Sequence, residues 1–409
     1  MPEKDHATAG SVLIVGASAA GLATAEALRR NEYQGALTLL DAEQHPPYDR
    51  PPLSKQVLKG DWEPSRAHLR TDEQLAALDA EFVAGDAAAS FDSAARTVTT
   101  RTGRQLRAYH VVIATGLHPR TLPGQDTLAG AHVLRSMDDA LRLRRDLLGA
   151  ERLVVVGAGV LGTEVAASAR TLGLDVTIVA PATTLLGDQV GDMVGGLLTQ
   201  LHTEQGVRMR LGVAVDRLTG GDGRVTGGDG RVTGVRLSSG EVLPASVVVI
   251  AVGARPATGW LTGSGLTLGD GIECDAHCGA APGTWAVGDV ASWYDVRLGR
   301  RLRLENRTNA TEQAQTVAAN ILGATRPYTP VPYFWTDQYA AEIQVHGLPS
   351  PLDDVTVVEG DVEERRFAAL YSQGGRATAV LGWNMPKQAR LLRQQHLTGP
   401  PGADSARSV

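Results

Sequence analysis

The sequence predicts an α/β chain of two similar halves, each built on a parallel sheet, followed by a smaller α+β module. Three observations carry this reading. Apolar runs at 12–15 and 153–156 each lead into a glycine-rich turn and then an alanine-rich stretch. A second apolar run follows in each half, at 37–40 and 176–179. A third run closes each half in the same manner, 111–113 before Ala114-Thr115-Gly116 and 247–250 before Gly253. Strand, turn, helix and strand repeated in one order give two doubly wound parallel sheets.

The first turn reads Gly16-Ala17-Ser18-Ala19-Ala20-Gly21 and the second Gly157-Ala158-Gly159-Val160-Leu161-Gly162. Glycines at this spacing allow a tight turn and let the backbone approach a pyrophosphate, which then rests on the helix N-terminus. Both are therefore Rossmann-like dinucleotide fingerprints in the required strand, turn and helix context. Ser18 replaces the middle glycine of the first copy. Strand 37–40 ends in Asp41, a hydrogen-bond acceptor for a ribose diol, whereas strand 176–179 ends in Ala180. The two pockets do not read their ribose alike.

Between the fingerprints lies Tyr48-Asp49-Arg50-Pro51-Pro52-Leu53-Ser54-Lys55, in which two prolines fix the chain between two cations. Arg50 suits a pyrophosphate, and Lys55 suits a place beside an electron-accepting ring. A helix is expected over 138–149. The heptapeptide GDGRVTG at 221–227 is repeated unchanged at 228–234, between two expected strands. A seven-residue copy inside a paired strand would flip every side chain to the other face, so the extra copy belongs in the turn. The run Ala286-Val287-Gly288-Asp289-Val290 ends a strand in a glycine and an acid, placing a carboxylate for a polyol hydroxyl. After residue 327 come strands at 355–358, 366–371 and 377–383 and a basic helix at 387–395. The expected domains are 1–117 with 247–326, then 118–246, then 327–409.

Composition limits the function classes. The chain has 409 residues, 43% hydrophobic and 21% charged, enough for two or three ordinary cores. A net charge of −6 argues against bulk nucleic-acid binding. No apolar run reaches the roughly 18 residues of a membrane span, and residues 1–10 are polar, so no membrane and a cytoplasmic setting are expected. The two cysteines, Cys274 and Cys278, are expected to be structural, and no metal site is expected.

The motifs taken together resemble the FAD-dependent, NADH-using ferredoxin reductases of bacterial P450 and Rieske oxygenase systems, a glutathione-reductase-like architecture with apoptosis-inducing factor as a more distant relative. The likeness runs from the first fingerprint through RPPLSK, ATG, GxGxxGxE, AVGDVA and Phe334-Trp335-Thr336-Asp337-Gln338-Tyr339 into the final module, with a C-terminal tail that looks short for the family. It implies FAD along the first domain, with its pyrophosphate over the helix beginning near Ala19, Asp41 on the adenosine ribose and Asp289 on the ribitol. Arg50 and Lys55 match flavin-contacting cations. Ala88, Thr115, Gly116 and Arg135 match positions lining the adenine and phosphate portions, and Trp335 matches one near the isoalloxazine edge. The likeness further implies nicotinamide on the second domain, with Glu164 of Gly157-x-Gly159-x-x-Gly162-x-Glu164 near it. A pairing of Glu164 with Lys55 is expected, because a lone buried charge is costly.

Three departures qualify the likeness. Ala180 replaces the acid that grips the ribose diol, and no Arg or Lys follows in Pro181-Ala182-Thr183-Thr184, so NADH is favoured over NADPH with weak discrimination. Arg307 stands where relatives place tryptophan or an aliphatic residue, and is expected either beside the flavin or pointing outward. The redox dithiol of related disulfide reductases is missing, since no cysteine lies between Asp41 and Gly60. The implied partner is a small acidic [2Fe-2S] ferredoxin, with Arg297, Arg300, Arg301, Arg303 and Arg307 as a candidate docking rim. The alternatives are a tailoring oxidoreductase of the same fold acting on an organic substrate, and a non-catalytic redox sensor.

Overall fold

The computed structural model describes residues 10–220 and 230–397, which divide into two compact units. The first comprises residues 10–49, 68–118 and 255–332, and the second residues 50–67, 119–220, 230–254 and 333–397.

The first unit is organised by a six-stranded sheet in the order Gly279–Ala281, Thr284–Ala286, His110–Ile113, Val12–Val15, Leu37–Leu40, Glu81–Val83. Its four central strands run parallel. Val12–Val15 is buried at every position, as expected of a strand covered on both faces. The helix Ala19–Arg30 packs against Arg307–Ile321, with Ala20, Ala23 and Ala27 buried on one and Ala310, Ala314 and Ala318 on the other. Small side chains let the two backbones approach closely. A meander of Ala88–Asp92, Thr97–Thr100 and Gln105–Arg107 and a four-stranded sheet ending in the hairpin of Ala291–Asp295 and Arg300–Leu302 complete the unit.

The second unit holds a five-stranded, fully parallel sheet in the order Arg208–Leu211, Asp175–Ala180, Arg152–Val156, Val247–Ile250, Ala131–His132. Val154, Val156, Val248 and Ile250 on this sheet share one core with Leu218, Val235 and Leu237 of the antiparallel meander Val215–Gly220, Val232–Leu237 and Val242–Pro244. The same unit contains a five-stranded antiparallel sheet of Tyr333–Gln338, Ala341–Gly347, Arg376–Trp383, Arg366–Gln373 and Asp354–Asp361, covered by the helix Pro386–His396. Phe367, Tyr371 and Trp383 are fully buried in its core.

The expected elements are found, but their grouping differs in two places. Strand 247–250, which the repeated strand order gave to the second half but the expected domain bounds gave to the first domain, sits beside 152–156 in the second sheet, Leu153 opposite Val247. Residues 50–67 pack with the second unit, and the C-terminal sheet falls in that unit too. The expected helices at 138–149 and 387–395 are observed at Met137–Leu148 and Pro386–His396. The first GDGRVTG copy lies outside the described residues, and Val232, Thr233 and Gly234 of the second copy are in strand Val232–Leu237.

Candidate functional site

In the first unit the glycine loop is a tight turn with no room for side chains at two positions. Gly16 has φ +103°, and a Cβ placed there would lie 2.4 Å from the carbonyl oxygen of Ala114. A Cβ on Gly21 would lie 1.8 Å from the Gly16 carbonyl oxygen, so the turn closes only with glycine at both positions. Ser18 is the N-cap of Ala19–Arg30, makes no capping hydrogen bond, and no acid occupies the first turn, which leaves the helix N-terminus suited to an anion. Asp41 is bound into this loop. Its Oδ2 accepts from the Ala17 N–H at 2.6 Å and its Oδ1 from Glu43 N–H at 2.9 Å, so it braces the turn as well as ending the strand. Glu43, which accepts from the Tyr48 hydroxyl at 2.5 Å, was not singled out in the sequence.

Gly288 stands against the same helix, where a Cβ would meet that of Ala20 at 2.9 Å, and its N–H donates to Gln313 Oε1 at 2.7 Å. Asp289 follows at once in the short 3-10 turn Gly288–Val290. Ala114, Thr115 and Gly116 close the adjoining strand His110–Ile113, with Thr115 Oγ1 donating to Ala257 O at 3.1 Å, and Ala88 opens the three-stranded meander. Arg307 begins its helix and is committed to Asp49, with Nε 2.7 Å from Oδ1 and a further bond to Thr311 Oγ1. Its charge is thus neutralised locally and does not point free into solvent.

In the second unit Gly157 has φ +123°, with the carbonyl oxygen of Ala251 2.1 Å from a hypothetical Cβ, and Gly162 packs on the Gly157 carbonyl. Gly159 caps the helix Val160–Thr171 in extended conformation, and a Cβ there meets nothing within 4 Å. Val160 and Leu161 supply the first helical N–H groups. Both loops are thus tight glycine turns that lead into a helix N-terminus without an acid in the first turn. Gly253, at φ +89°, follows the strand Val247–Ile250, and its carbonyl accepts from Arg120 N–H at 3.0 Å. Arg50 and Arg135 meet here, the Arg50 guanidinium donating to the Arg135 carbonyl at 2.5 Å. Trp335 lies on Tyr333–Gln338 with its ring stacked on Tyr333 at 5.9 Å.

The centre of this unit is an ion pair. The prolines open the 3-10 turn Pro51–Ser54, which Ser168 fastens by donating to the Ser54 carbonyl at 2.6 Å. Lys55 leaves this turn with Nζ 2.8 Å from Glu164 Oε2, and the two side chains are only 12% and 6% exposed. Glu164 also accepts from Ser54 Oγ at 2.5 Å and from Thr336 Oγ1 at 2.8 Å. Three donors, Lys55 Nζ, Ser54 Oγ and Thr336 Oγ1, thus converge on one buried carboxylate. Asp337 is the next titratable group on the strand. Burial pushes its carboxyl up, Lys55 opposes the rise, and Glu164 and Glu342 add to it. Ser54 and Thr336 lie inside the RPPLSK and Phe334–Tyr339 motifs, but their roles follow only from the contact between strand, turn and helix.

Residues 10–314 match the family model described as pyridine nucleotide-disulphide oxidoreductase, and residues 333–399 match the one described as reductase C-terminal. The chain belongs to the pyridine nucleotide-disulphide oxidoreductase family. It is similar to rhodocoxin reductase of Rhodococcus erythropolis, 32% identical over 393 residues that span 96% of this chain and 90% of the relative. It is also similar to the ferredoxin–NAD(+) reductase component of the p-cumate 2,3-dioxygenase system of Pseudomonas putida, 36% identical over 394 residues, 94% of this chain and 92% of the relative. Among solved structures, the covalent complex of putidaredoxin reductase with putidaredoxin matches with a TM-score of 0.88 at 32% identity, covering 94% of this chain and 92% of that one.

Both cysteines are free and buried, and burial pushes the Cys274 thiol up to about 12 and that of Cys278 well above its ordinary value. A thiol so protonated is a poor nucleophile. Among the described residues no group of His, Cys, Asp and Glu could hold a metal ion, and no helix is long and apolar enough to cross a membrane.

Proposed function

We propose that the chain is an FAD-dependent reductase that takes a hydride from NADH and passes single electrons to a small [2Fe-2S] ferredoxin serving a P450 or Rieske oxygenase. The observation that carries this is the retention of both dinucleotide cradles, without a reactive thiol, along a chain similar over nearly its whole length to ferredoxin reductases. The loop at Gly16, Ser18 and Gly21 holds the FAD pyrophosphate, Asp41 and Asp289 serve its ribose and ribitol hydroxyls, and the loop at Gly157, Gly159 and Gly162 holds the nicotinamide coenzyme. Bound flavin supplies the conversion of a hydride pair into single electrons. Lys55 and Glu164 supply a fixed, mutually neutralised ion pair at the nicotinamide end. The free, buried thiols accord with a cytoplasmic setting. Steady-state reduction of cytochrome c by NADH tests the proposal: activity should depend on added ferredoxin, and equal activity without it would refute the assignment of a ferredoxin partner.

NADH is favoured because, among the described residues, the end of strand Asp175–Ala180 offers neither an acid nor a cation without an ion-pair partner. Ala180 is 3% exposed. The arginines on the neighbouring strand are taken up by Asp175, 2.9 Å from Arg208, and by Glu241, 3.0 Å from Arg210. Ala180→Glu should improve the NADH-to-NADPH ratio of kcat/KM by about tenfold, the worth of one good charged hydrogen bond. A strong preference for NADPH in the unaltered protein would overturn the choice.

The arginine hairpin contributes less steering charge than its composition suggests. Arg297 is 3.7 Å from Asp295, Arg301 3.4 Å from Glu273, and Arg303 3.0 Å from Asp270 and 2.7 Å from Glu305. Arg300 is exposed, and no ion pair to it is found among the described residues. Arg300→Glu should therefore lower kcat/KM for ferredoxin by about two- to fivefold at low salt, and less at high salt. Unchanged ferredoxin kinetics at low salt would remove the hairpin from the docking surface.

A further inference from the structure

A buried chain of hydrogen bonds runs behind the Lys55–Glu164 pair within the second unit. Thr163, His202 and Thr336 are fully buried and Gln338 is 1% exposed. Gln338 Nε2 lies 3.0 Å from Thr336 Oγ1 and 2.8 Å from Thr163 Oγ1, while its Oε1 lies 2.6 Å from His202 Nε2.

The direction of every bond follows by elimination. An ionised carboxylate only accepts, so the Thr336 hydroxyl gives its single proton to Glu164 Oε1. The Thr336 oxygen must then accept from Gln338, which fixes the facing amide atom as nitrogen. That nitrogen has two hydrogens, one for each threonine. The Gln338 carbonyl oxygen accepts in turn from His202, which carries its proton on Nε2. His202 Nδ1 is left bare, buried without a hydrogen-bond partner among the described residues. Burial, partly opposed by the bond to Gln338, takes this imidazole down to about 4, so it is a neutral donor. Reversing the amide would draw the Thr336 proton away from Glu164. The charged groups around the carboxylate are Lys55, which faces it directly, and Asp337, with Glu342 beyond.

We propose that Gln338 is a positioning residue for Glu164, acting through Thr336: it commits that hydroxyl to Oε1, leaves Oε2 to Ser54 and Lys55, and so holds the ion pair in one geometry. His202 orients the amide. Neither Gln338 nor Thr336 touches the reacting atoms in this scheme, which rests on the reading of Glu164 and Lys55 as the nicotinamide end of the electron path.

The test compares flavin-loaded Thr336→Val, Gln338→Met, Thr336→Ser and Glu164→Gln with the unaltered protein. Two readouts are used, the rate of flavin reduction at saturating NADH and the midpoint potential of the bound flavin. Thr336→Val should slow reduction about tenfold with KM for NADH within about twofold, since one charged hydrogen bond is lost without removing a binding group, and Gln338→Met, which only frees the Thr336 hydroxyl from its committed direction, should slow it in the same sense but by less. Both should move the potential in the same direction as Glu164→Gln but by less, because Lys55 is less well neutralised. Thr336→Ser keeps the hydroxyl and should restore rate and potential. Should Gln338→Met fail to fold, Thr336→Val decides alone, a methyl replacing a hydroxyl of similar size. If Glu164→Gln is slow and shifted while Thr336→Val matches the unaltered protein in both readouts, the positioning role is refuted. If Glu164→Gln is itself unchanged in both, the underlying reading of Glu164 fails and the proposal falls with it.

Discussion

Replacing Glu164 by alanine should destabilise the protein by about 3–5 kcal/mol, the cost of stranding a buried charge whose partner is removed. Lys55 would keep an ammonium only 12% exposed with its counter-ion gone, and the hydroxyls of Ser54 and Thr336 would lose their acceptor. The double variant Lys55→Met with Glu164→Leu separates stability from chemistry. It removes both charges together and should recover most of the lost stability, because a buried pair replaced by apolar side chains of similar volume is often neutral. It should not recover flavin reduction by NADH, which we expect to fall at least about tenfold in the single and double variants alike. Chemical denaturation and stopped-flow absorbance measure the two quantities. A single Glu164→Ala variant as stable as the parent would show that Lys55 finds another partner.

The two glycine loops should respond in opposite ways to the same small substitution. Gly16→Ala places a Cβ 2.4 Å from a backbone oxygen in a residue held at φ +103°, where an L side chain is strained. Neither the strand nor the Ala114 carbonyl can yield without opening the sheet, so a loss of about 3 kcal/mol or more, with release of flavin on purification, is expected. Gly159→Ala meets open space at ordinary φ, −78°, and should leave stability and flavin content unchanged. Under the proposed binding mode its methyl would stand where the coenzyme approaches the helix N-terminus. The KM for NADH should therefore rise about tenfold or more as N–H contacts to a charged phosphate are lost. Flavin content by absorbance, thermal unfolding and KM distinguish the two. Normal flavin content in Gly16→Ala, or normal KM in Gly159→Ala, would contradict the assigned roles.

Much of this was legible in the sequence because the deciding features are local. Strands 12–15 and 153–156 are continuous apolar runs, the loops carry glycine where the backbone has no room for a side chain, and Glu164 lies one turn beyond its loop on the same helix. Sheet membership was less legible. The repeated strand order put 247–250 in the second half and the expected domain bounds put it in the first; its pairing with 152–156 is a long-range choice that composition alone does not make. The support around Glu164 was hidden for the same reason. Ser54, Thr336, Gln338 and His202 are far apart in the chain, ordinary by type, and become a network only when the turn, the C-terminal strand and two helices pack together. The hairpin arginines show the converse. Their clustering was plain, but the acids that neutralise them come from neighbouring strands and turns.

Absorbance of the flavin-loaded protein under anaerobic conditions tests the central claim most directly. NADH should bleach the flavin band within the turnover time, and a subsequent addition of oxidised [2Fe-2S] ferredoxin should restore it as the ferredoxin is reduced in one-electron steps. A flavin that NADH does not bleach, or one that bleaches and stays reduced in the presence of ferredoxin, would contradict the account.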